Sequence, residues 1–539
     1  MSSNGPSNEV VRSYAPGSLE RHSLKRTLAE ISAVSTEIPL RIGGRDVRTG
    51  TTANVVMPHN HRHVLATCHM AGAGEVAQAI HAATDAHRDW SSWKFEDRAA
   101  IFLRAADLLS SSWRNIVNGS TMLNQSKTVH QAEIDSACEM IDFLRFNVEF
   151  ARQILADQPI SPEGVSNSLD YRPLEGFVYA VTPFNFTSIA GNLPSVPALM
   201  GNTVVWKCAG TTVFSNYQLM KLFEAAGLPP GVINFVPGNA AIVSDVVLRH
   251  RDLAGIHFTG STEVFQGMWR RVGEHISSYR SYPRLVGETG GKDFIVAHAS
   301  ADDDAVVTAI IRGSFEFQGQ KCSAASRIYL PDTMWTRIRE QLVATINDIK
   351  VGDIADFSNF MGAVIDVKSF RKISGYVEAA RHTGDATILA GGTADDSVGY
   401  FIRPTLIVTK NPAYSTMCEE IFGPVVTVFV YPEKDWKAVL DLVDQTSPYA
   451  LTGAVMANDR RAIDEASAVL RYAAGNFYIN DKPTGAVVGQ QPFGGGRASG
   501  TNDKAGSRLN LLRWISARTI KETRKPARNY RYPFMEPEE

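Results

Sequence analysis

The chain has 539 residues, 44% hydrophobic and 20% charged, a composition ordinary for a globular enzyme of about two to four domains. Lysine and arginine number 54 against 56 aspartates and glutamates, for a net charge of −2. Because no excess of positive charge is available to hold a phosphate backbone, nucleic acid is excluded as the main partner. The sequence holds no apolar run of the roughly 18 residues that a membrane helix needs, so we expect no membrane span.

Five cysteines are spread along the chain without a CxxC pair or histidines at zinc-binding spacing: Cys68, Cys138, Cys208, Cys322 and Cys418. This pattern predicts no metal centre and fits a reducing compartment. Residues 1–30 carry four basic residues, as a mitochondrial presequence does, but three glutamates interrupt them. The targeting signal is therefore weak.

From about residue 40, strand-like apolar runs alternate with amphipathic helical stretches, which predicts an α/β fold around a largely parallel sheet. The alanine-rich stretch 75–107 has helical spacing and predicts packed helices. Further along, 167–171 and 176–181 have strand character and are divided by Pro173, which cannot donate to a strand ladder. We expect these two strands to form a hairpin arm ahead of a new βαβ block.

That block has the clearest periodicity in the chain. Strand 176–181, helix 191–200 and strand 202–207 make a first βαβ unit. The pattern continues through helix 216–226, strand 232–236, helix 241–249 and strand 255–259. Together these elements predict a Rossmann-type, dinucleotide-binding domain.

Two glycine-containing turns compete for the phosphates of such a cofactor. Gly72–Ala77 matches the GxGxxA fingerprint, but the acid about twenty residues on, Asp97, falls in a helical run and not at a strand end. The better candidate is Phe258–Thr262, where a strand ends and a helix begins, so that free N–H groups and the helix dipole face a pyrophosphate. Its alternative is a plain helix N-cap. Lys207 ends a neighbouring strand and could reach ribose hydroxyls, or could be a solvated lysine.

Three other side chains suggest catalysis by a thiol. Cys322 lies among small and polar residues next to Lys321, a cation that would favour the thiolate. Glu288, flanked by glycines, could serve as a base, and Asn185 offers an amide after a strand as an oxyanion donor. The plainer alternatives are an inert core cysteine, a surface turn and a turn asparagine.

The chain resembles the aldehyde dehydrogenase superfamily in seven motifs that occur in the superfamily's order and at its intervals: TPFNFT, WK, FTGST, ETGGK, GQKCSA, EEIFGPVV and QPFGGGRASGTND. The resemblance implies that Cys322 attacks an aldehyde while Asn185 and the Cys322 N–H stabilise the oxyanion. Glu288 would then activate the water that hydrolyses the thioester. No metal is needed for this chemistry.

The resemblance also implies the aldehyde dehydrogenase fold, an α/β fold with a Rossmann-type NAD-binding domain (1–163 and 176–286) and an α/β catalytic domain (287–484). A substrate-anchor segment (485–506) and a small β oligomerisation arm (164–175 and 507–530) complete it, and the arm implies a homodimer or higher homo-oligomer. The cofactor would be NAD, with Lys207 at the adenosine ribose, Ser261 at the pyrophosphate and Glu420 at the nicotinamide ribose. The implied cofactor residues are Thr182, Lys207, Gly260, Ser261, Glu420 and Phe422.

Three phrases, IDFLRFN, AAGNFYINDK and VVGQQPFGG, resemble the branch that oxidises L-glutamate γ-semialdehyde, the open form of Δ1-pyrroline-5-carboxylate, to L-glutamate in proline degradation. In that branch Gly485, Ala486 and Ser323 would bind the substrate carboxylate. Residues 484–489 are indeed a small-residue loop whose N–H groups could form an anion nest. The implied substrate residues are Glu139, Phe186, Ser323, Gly485, Ala486 and Phe493, the two phenylalanines enclosing the aliphatic chain.

Two departures from the family pattern leave alternatives open. Lys207 is followed by Cys208-Ala209-Gly210, without the acid of many NAD-specific members, so NADP use stays open. Ala486 stands where animal members carry serine. The rival functions are an aldehyde dehydrogenase for another carboxylated aldehyde, an acyl-phosphate reductase, and a catalytically silent structural paralogue. By resemblance the compartment is the mitochondrial matrix, and otherwise the cytoplasm.

Overall fold

The structure, a computed structural model, describes residues 5–538. Within that range two seven-stranded, largely parallel sheets dominate, flanked by helices. The α/β class predicted from the sequence is confirmed. In the same range, none of the helices combines the length and the apolarity that crossing a bilayer requires.

The N-terminal part is mainly helical. Its elements are α1 (Leu19–Ser32), β1 (Thr36–Ile38), β2 (Leu40–Ile42), β3 (Arg45–Val47), β4 (Thr52–Met57), β5 (Asn60–His69), α2 (Ala73–Trp90), α3 (Phe95–Ser110), α4 (Arg114–Gln125), α5 (Val129–Ala132) and α6 (Met140–Ala156). A π-helical turn, Glu133–Glu139, separates α5 from α6. The packed helices expected from the alanine spacing are α2 and α3, where Ala79, Ala83, Ala99 and Ala105 are fully buried.

The first large sheet follows. Its region contains β6 (Val165–Pro173), β7 (Phe177–Val181), α7 (Thr187–Leu199), β8 (Thr203–Lys207), α8 (Val213–Ala225), β9 (Ile233–Phe235), α9 (Ala240–Leu248), β10 (Leu253–Thr259), α10 (Thr262–Glu274) and β11 (Arg284–Glu288). The strand order is β11-β10-β7-β8-β9-β2-β3, parallel from β11 to β9. Val181 pairs with both Lys207 and Phe258, so the loops after β7, β8 and β10 leave the same carboxyl edge. The predicted βαβ block is confirmed.

The second large sheet has the order β14-β17-β18-β13-β12-β20-β21, with β14 antiparallel to its neighbour. Its centre is apolar, with Ile295, Ile328 and Val428 fully buried. The remaining elements are β12 (Asp293–Ala297), α11 (Asp303–Phe315), β13 (Ala325–Pro331), α12 (Asp332–Asp348), α13 (Val367–Arg381), β14 (Ala386–Ala390), β15 (Ala394–Asp395), β16 (Phe401–Ile402), β17 (Thr405–Thr409), α14 (Ser415–Cys418), β18 (Val425–Tyr431), α15 (Trp436–Gln445), β19 (Tyr449–Ala450), β20 (Thr452–Met456), α16 (Arg460–Val469), β21 (Asn476–Ile479), β22 (Gly496–Arg497), α17 (Arg508–Leu511) and β23 (Ile515–Thr523). The exact domain boundaries stay a prediction.

The expected hairpin between the strands on either side of Pro173 is wrong. Strand β7 is hydrogen-bonded to β8 on one side and to β10 on the other, so neither of its edges is available to β6. Strand β6 pairs instead with β23, antiparallel from Val165–Thr523 to Pro173–Ile515. The arm is therefore a two-stranded ribbon whose halves come from distant parts of the chain.

Helix α7 begins at Thr187, four residues before the predicted start at Gly191. The carboxylate of Asp135, in the π-helical turn, accepts hydrogen bonds from the backbone N–H groups of Thr187 (3.0 Å) and Ser188 (2.9 Å). These are donors that a helix leaves unpaired at its N-terminus. Because the cap comes from another element, the local sequence does not reveal it.

Candidate active site

The two large sheets are joined by the short turn 289–292, which leads from β11 into β12. A Cβ atom on Gly290 would lie 2.5 Å from a carboxylate oxygen of Glu420, and one on Gly291 would overlap the carbonyl oxygen of Cys322. The Gly291 N–H donates to Glu420 Oε1 at 2.9 Å. Glycine is required here because three segments of backbone and side chain meet without space for a methyl group.

The backbone that leads to Cys322 is strained. Phe317 and Gln318 have φ values of 52° and 56°, a left-handed backbone conformation that residues with a side chain rarely adopt. Gly319 continues it with a φ of 65°. Strain of this kind costs about 1–3 kcal/mol per residue and persists where the surrounding structure enforces it. This backbone places the half-buried Cys322 beside the turn 289–292.

The expectation that Lys321 favours the thiolate is wrong. The Lys321 ammonium is buried in an ion pair with Glu316, 2.9 Å away. Burial raises the pKa of the Cys322 thiol well above its usual value, and the carboxylates of Asp293, Glu288 and Glu420 raise it further. The thiol is therefore protonated at rest, so a base must accept its proton during attack.

Glu288 is placed to be that base. It ends β11, and a Cβ on Gly494 would lie 2.9 Å from its Oε1 atom. Its other oxygen, Oε2, is buried and has no hydrogen-bond partner within residues 5–538. Burial raises the pKa of Glu288 well above its usual value, an effect that the nearby Lys504 ammonium opposes and Asp503 adds to. A desolvated carboxyl group with an unbonded oxygen is suited to proton transfer.

Asn185 is buried beside the nucleophile. Its Nδ2 atom donates to the carbonyl oxygen of Gln320, two residues before Cys322, at 3.1 Å. An amide carries two N–H donors, and in the described structure this bond uses one of them. The arrangement fits an oxyanion donor whose position is fixed by the loop that carries the thiol.

Two functional residues, Asp135 and Lys127, were missed in the sequence. The Lys127 ammonium is buried, bonds to Asp135 at 2.5 Å and lies 4.2 Å from the ring centre of Phe186. This ion pair holds Phe186 and the first turn of α7 directly after Asn185. No local pattern marks either residue, since they act through contacts with a later segment.

Glu139 ends the π-helical turn close to the same place. Its Oε2 atom accepts a hydrogen bond from the Ser188 hydroxyl at 2.9 Å. Burial raises its pKa to about 8, and the Asp135 carboxylate contributes in the same direction. Glu139 is thus bonded to Ser188, which lies two positions after Phe186 in the chain.

The predicted cofactor residues that belong to the first sheet lie at its carboxyl edge, at or just after the ends of three strands. The Thr182 N–H donates to the Lys207 carbonyl oxygen at 3.1 Å, and its hydroxyl accepts from the Trp206 indole N–H at 3.0 Å. These bonds fasten the loop after β7 to the end of β8. Burial lowers the pKa of the Lys207 ammonium, which lies half-buried at this edge.

The N-terminus of α10 is open at the same edge. Ser261 stands at the N-cap position and is exposed, and within residues 5–538 its side chain makes no cap bond. Gly260 donates its N–H to the Glu288 carbonyl oxygen at 3.2 Å, which ties this turn to the base. By contrast, the Gly72 turn is closed by Glu75, whose carboxylate accepts the Gly72 N–H at 2.9 Å. Uncapped N–H groups at the sheet edge that also carries Lys207 fit a dinucleotide pyrophosphate.

Phe422 and Glu420 lie between this edge and the thiol. Phe422 has a φ of 63° and packs edge-to-face on Phe184, with the ring centres 5.6 Å apart. Burial raises the pKa of Glu420, whose carboxylate is also bonded to Gly291. The two residues therefore join the cofactor edge to the nucleophile.

The predicted substrate residues after β21 belong to a segment that contacts the nucleophile loop at Ser323. The Ser323 and Thr484 hydroxyl groups are 2.8 Å apart, and Gly485 follows with a φ of 95°. Ala486 is the next residue of this loop. Phe493 exchanges two backbone hydrogen bonds with Ala505, at 3.0 and 2.8 Å, next to the glycine that faces Glu288.

Comparison with known proteins agrees with this geometry. The profile of the aldehyde dehydrogenase family matches residues 46–520. A mitochondrial delta-1-pyrroline-5-carboxylate dehydrogenase from Dictyostelium discoideum is 50% identical over 533 residues, 98% of this chain and 96% of the relative, and the human one is 48% identical over 98% and 94%. A crystal structure of the Mycobacterium tuberculosis Delta-pyrroline-5-carboxylate dehydrogenase bound with NAD superposes with a TM-score of 0.96 at 54% identity, covering 99% of each chain. The chain belongs to the aldehyde dehydrogenase family.

Proposed function

We propose that the chain oxidises L-glutamate γ-semialdehyde, formed by opening of Δ1-pyrroline-5-carboxylate, to L-glutamate with NAD as cofactor. The observation that carries the proposal is that Cys322, Glu288 and Asn185 lie together next to Ser323, which contacts Thr484 at the start of the anchor loop, residues 484–491. Delta-1-pyrroline-5-carboxylate dehydrogenases match this chain over nearly its full length. The step belongs to proline degradation.

The reaction begins at the Cys322 sulfur, which attacks the aldehyde carbon as Glu288 takes the thiol proton. The substrate oxygen then carries a negative charge, which the Asn185 amide and the Cys322 N–H stabilise by hydrogen bonds. NAD, when bound along Thr182, Lys207, Gly260, Ser261, Glu420 and Phe422, supplies the hydride acceptor. Glu288 then releases the thiol proton to solvent, and its carboxylate deprotonates the water that hydrolyses the thioester on Cys322, which restores the Cys322 sulfur and releases L-glutamate.

The substrate carboxylate binds at Gly485, Ala486 and Ser323. Phe186 and Phe493 enclose the aliphatic chain, and Glu139 completes the wall. Ala486 carries no hydroxyl, so its backbone N–H and that of Gly485 form the nest, with Ser323 as the side-chain donor. A catalytically silent paralogue is disfavoured because both the thiol and the base are present.

We propose that the chain works as a homodimer or higher homo-oligomer through the arm. The arm formed by β6 and β23 is an isolated two-stranded ribbon, in which Ile520 is 39% exposed. Such ribbons are marginally stable in water unless further strands or another surface cover them. A second copy of the chain supplies that cover.

We place the protein in the mitochondrial matrix, with the cytoplasm as the alternative. The Dictyostelium and human relatives are named mitochondrial, whereas the Mycobacterium relative comes from a bacterium. The free cysteines Cys68, Cys138, Cys208, Cys322 and Cys418 suit a reducing environment in either case.

Replacing Cys322 by alanine should abolish turnover, because no thiohemiacetal can form. NAD binding, measured by fluorescence titration, should persist. Cys418→Ser is the matched control, since Cys418 is also half-buried but lies in α14, and it should keep activity within about threefold. Turnover in the Cys322 variant would refute the nucleophile.

Glu288→Gln should still permit one slowed round of hydride transfer, because solvent can accept the thiol proton, and should then stall at hydrolysis, because glutamine cannot deprotonate water. Stopped-flow absorbance should show a burst of about one NADH per active site, followed by a slow phase. Intact-mass measurement should detect the acyl group on Cys322. If neither burst nor acyl-enzyme forms, Glu288 is required for the attack itself.

Gly485→Val should raise KM for glutamate γ-semialdehyde at least about tenfold, because a Cβ at φ 95° strains the loop that binds the carboxylate. The uncharged substrate propanal, which has no carboxylate, should be affected much less in steady-state assays. Gly227→Val is the control for strain alone, with φ 98° at an open surface position.

The native enzyme should prefer glutamate γ-semialdehyde over propanal by roughly a hundredfold in kcat/KM. Equal kcat/KM values for the two aldehydes would make the protein a general aldehyde dehydrogenase.

Ile520→Asp should dissociate the assembly, because a buried unpaired carboxylate in the covered arm is unfavourable. Light scattering should give a multiple of 58.9 kDa for the native protein and a shift toward the monomer for the variant. Val469→Asp, on α16 with 41% exposure, should leave the mass unchanged. A monomeric native protein contradicts the proposed assembly.

A further inference from the structure

The segment 8–14 is an extended stretch, without helix or strand, that lies across the helical N-terminal part of the chain. The Glu9 carboxylate is bonded by Arg114 at 2.7 Å and by Arg145 at 2.8 Å. The Arg12 N–H and the Tyr14 hydroxyl both donate to Glu133, each at 2.9 Å. Since Glu133, Arg114 and Tyr14 are buried, the segment is fixed in place.

Asn8, at the start of this segment, bonds to the anchor loop. Its Nδ2 atom donates to the carbonyl oxygen of Val488 at 2.7 Å and to Asp142 on α6 at 2.8 Å. Its Oδ1 atom accepts the Gln490 side-chain N–H at 2.9 Å. The Glu9 N–H donates to the other oxygen of Asp142 at 2.7 Å. Asn8 therefore connects the loop to α6, and both N–H donors of its amide are used in doing so.

The loop itself is irregular and has few other attachments of this kind. Gly485 and Gly489 have φ values of 95° and 82°, and the bonds of Val487 lead to Gln491 and Gln490 within the same loop. At its start the loop is held by the contact between Ser323 and Thr484. Further along, Val488 is buried and Gly489 packs on Phe146, and Asn8 adds hydrogen bonds to Val488 and Gln490.

We propose that Asn8 is a positioning residue for substrate selectivity: it holds the anchor loop in the shape that binds the α-carboxylate. The proposal rests on the function proposed above and adds a residue that touches neither substrate nor cofactor. A loop that is ordered before binding loses less conformational freedom when the carboxylate arrives, so affinity depends on its attachments. The chemical step at Cys322 does not depend on them.

The test is Asn8→Ala in the full-length protein, assayed with two aldehydes. Loss of the two bonds to the loop should raise KM for glutamate γ-semialdehyde about tenfold, with kcat within about twofold. The kcat/KM for propanal should stay within about twofold, because propanal does not use the loop. A purely structural role would instead lower both activities together or lower Tm without this split.

Binding of L-glutamate gives a readout without turnover. Calorimetric titration of the cofactor-free protein should show a Kd about tenfold weaker for Asn8→Ala than for the native chain. Asn411→Ala is the matched control, a half-buried asparagine that bonds Asp385 and the Ala413 N–H in the other half of the molecule. It should change neither KM nor Kd.

A charge exchange tests the contact with α6. Asn8→Asp alone brings a second carboxylate beside Asp142 and should raise KM more than Asn8→Ala does. Adding Asp142→Asn restores a donor and acceptor pair and should lower KM again. Failure of the second substitution to lower KM overturns the role of this contact.

The outcomes separate this inference from the proposed function. If the native enzyme shows no preference for the semialdehyde and does not bind L-glutamate, the proposed function fails. If the native enzyme shows both, but Asn8→Ala leaves KM and Kd unchanged, the positioning role of Asn8 fails alone.

Discussion

The glycine turn 289–292 is the constraint on which the active site depends. It connects the two sheets over so short a distance that Gly290 packs on Glu420 and Gly291 packs on the backbone of Cys322. A side chain at either glycine would separate the nucleophile from the first sheet, whose carboxyl edge carries the residues proposed to bind the cofactor. Base, nucleophile and cofactor edge are therefore positioned by one junction and not by three independent loops.

The same junction removes ionisable groups from water. Burial raises the pKa of Asp293 to about 8, lowers that of the Lys292 ammonium to about 7, and raises those of Glu420, Glu288 and Cys322. Lys292 Nζ and Asp293 Oδ2 are buried with no hydrogen-bond partner in the part of the chain described. Such groups cost stability, but a site from which water is excluded strengthens every interaction with the charge that the reaction creates.

The sequence predicted the chemistry more accurately than it predicted the tertiary contacts. Strand and helix periodicity located the βαβ block from β7 to β10, because each of those strands is buried among neighbours and is mostly apolar. The residues Cys322, Glu288 and Asn185 were each selected by type and context, and the structure brings them together around one turn. The thiolate prediction failed because adjacency in sequence placed Lys321 beside the thiol, whereas its ammonium points into an ion pair with Glu316.

The remaining features depend on contacts between distant segments, which no local pattern records. Strand β6 pairs with β23, Asp135 caps α7, and Asn8 donates a hydrogen bond to the anchor loop. In each case the polar groups of one segment are satisfied by a distant segment packed against it, so the partner is set by the tertiary arrangement and not by the residues nearby. A family motif therefore identifies the atoms that react, while the accuracy of their placement depends on residues outside every motif.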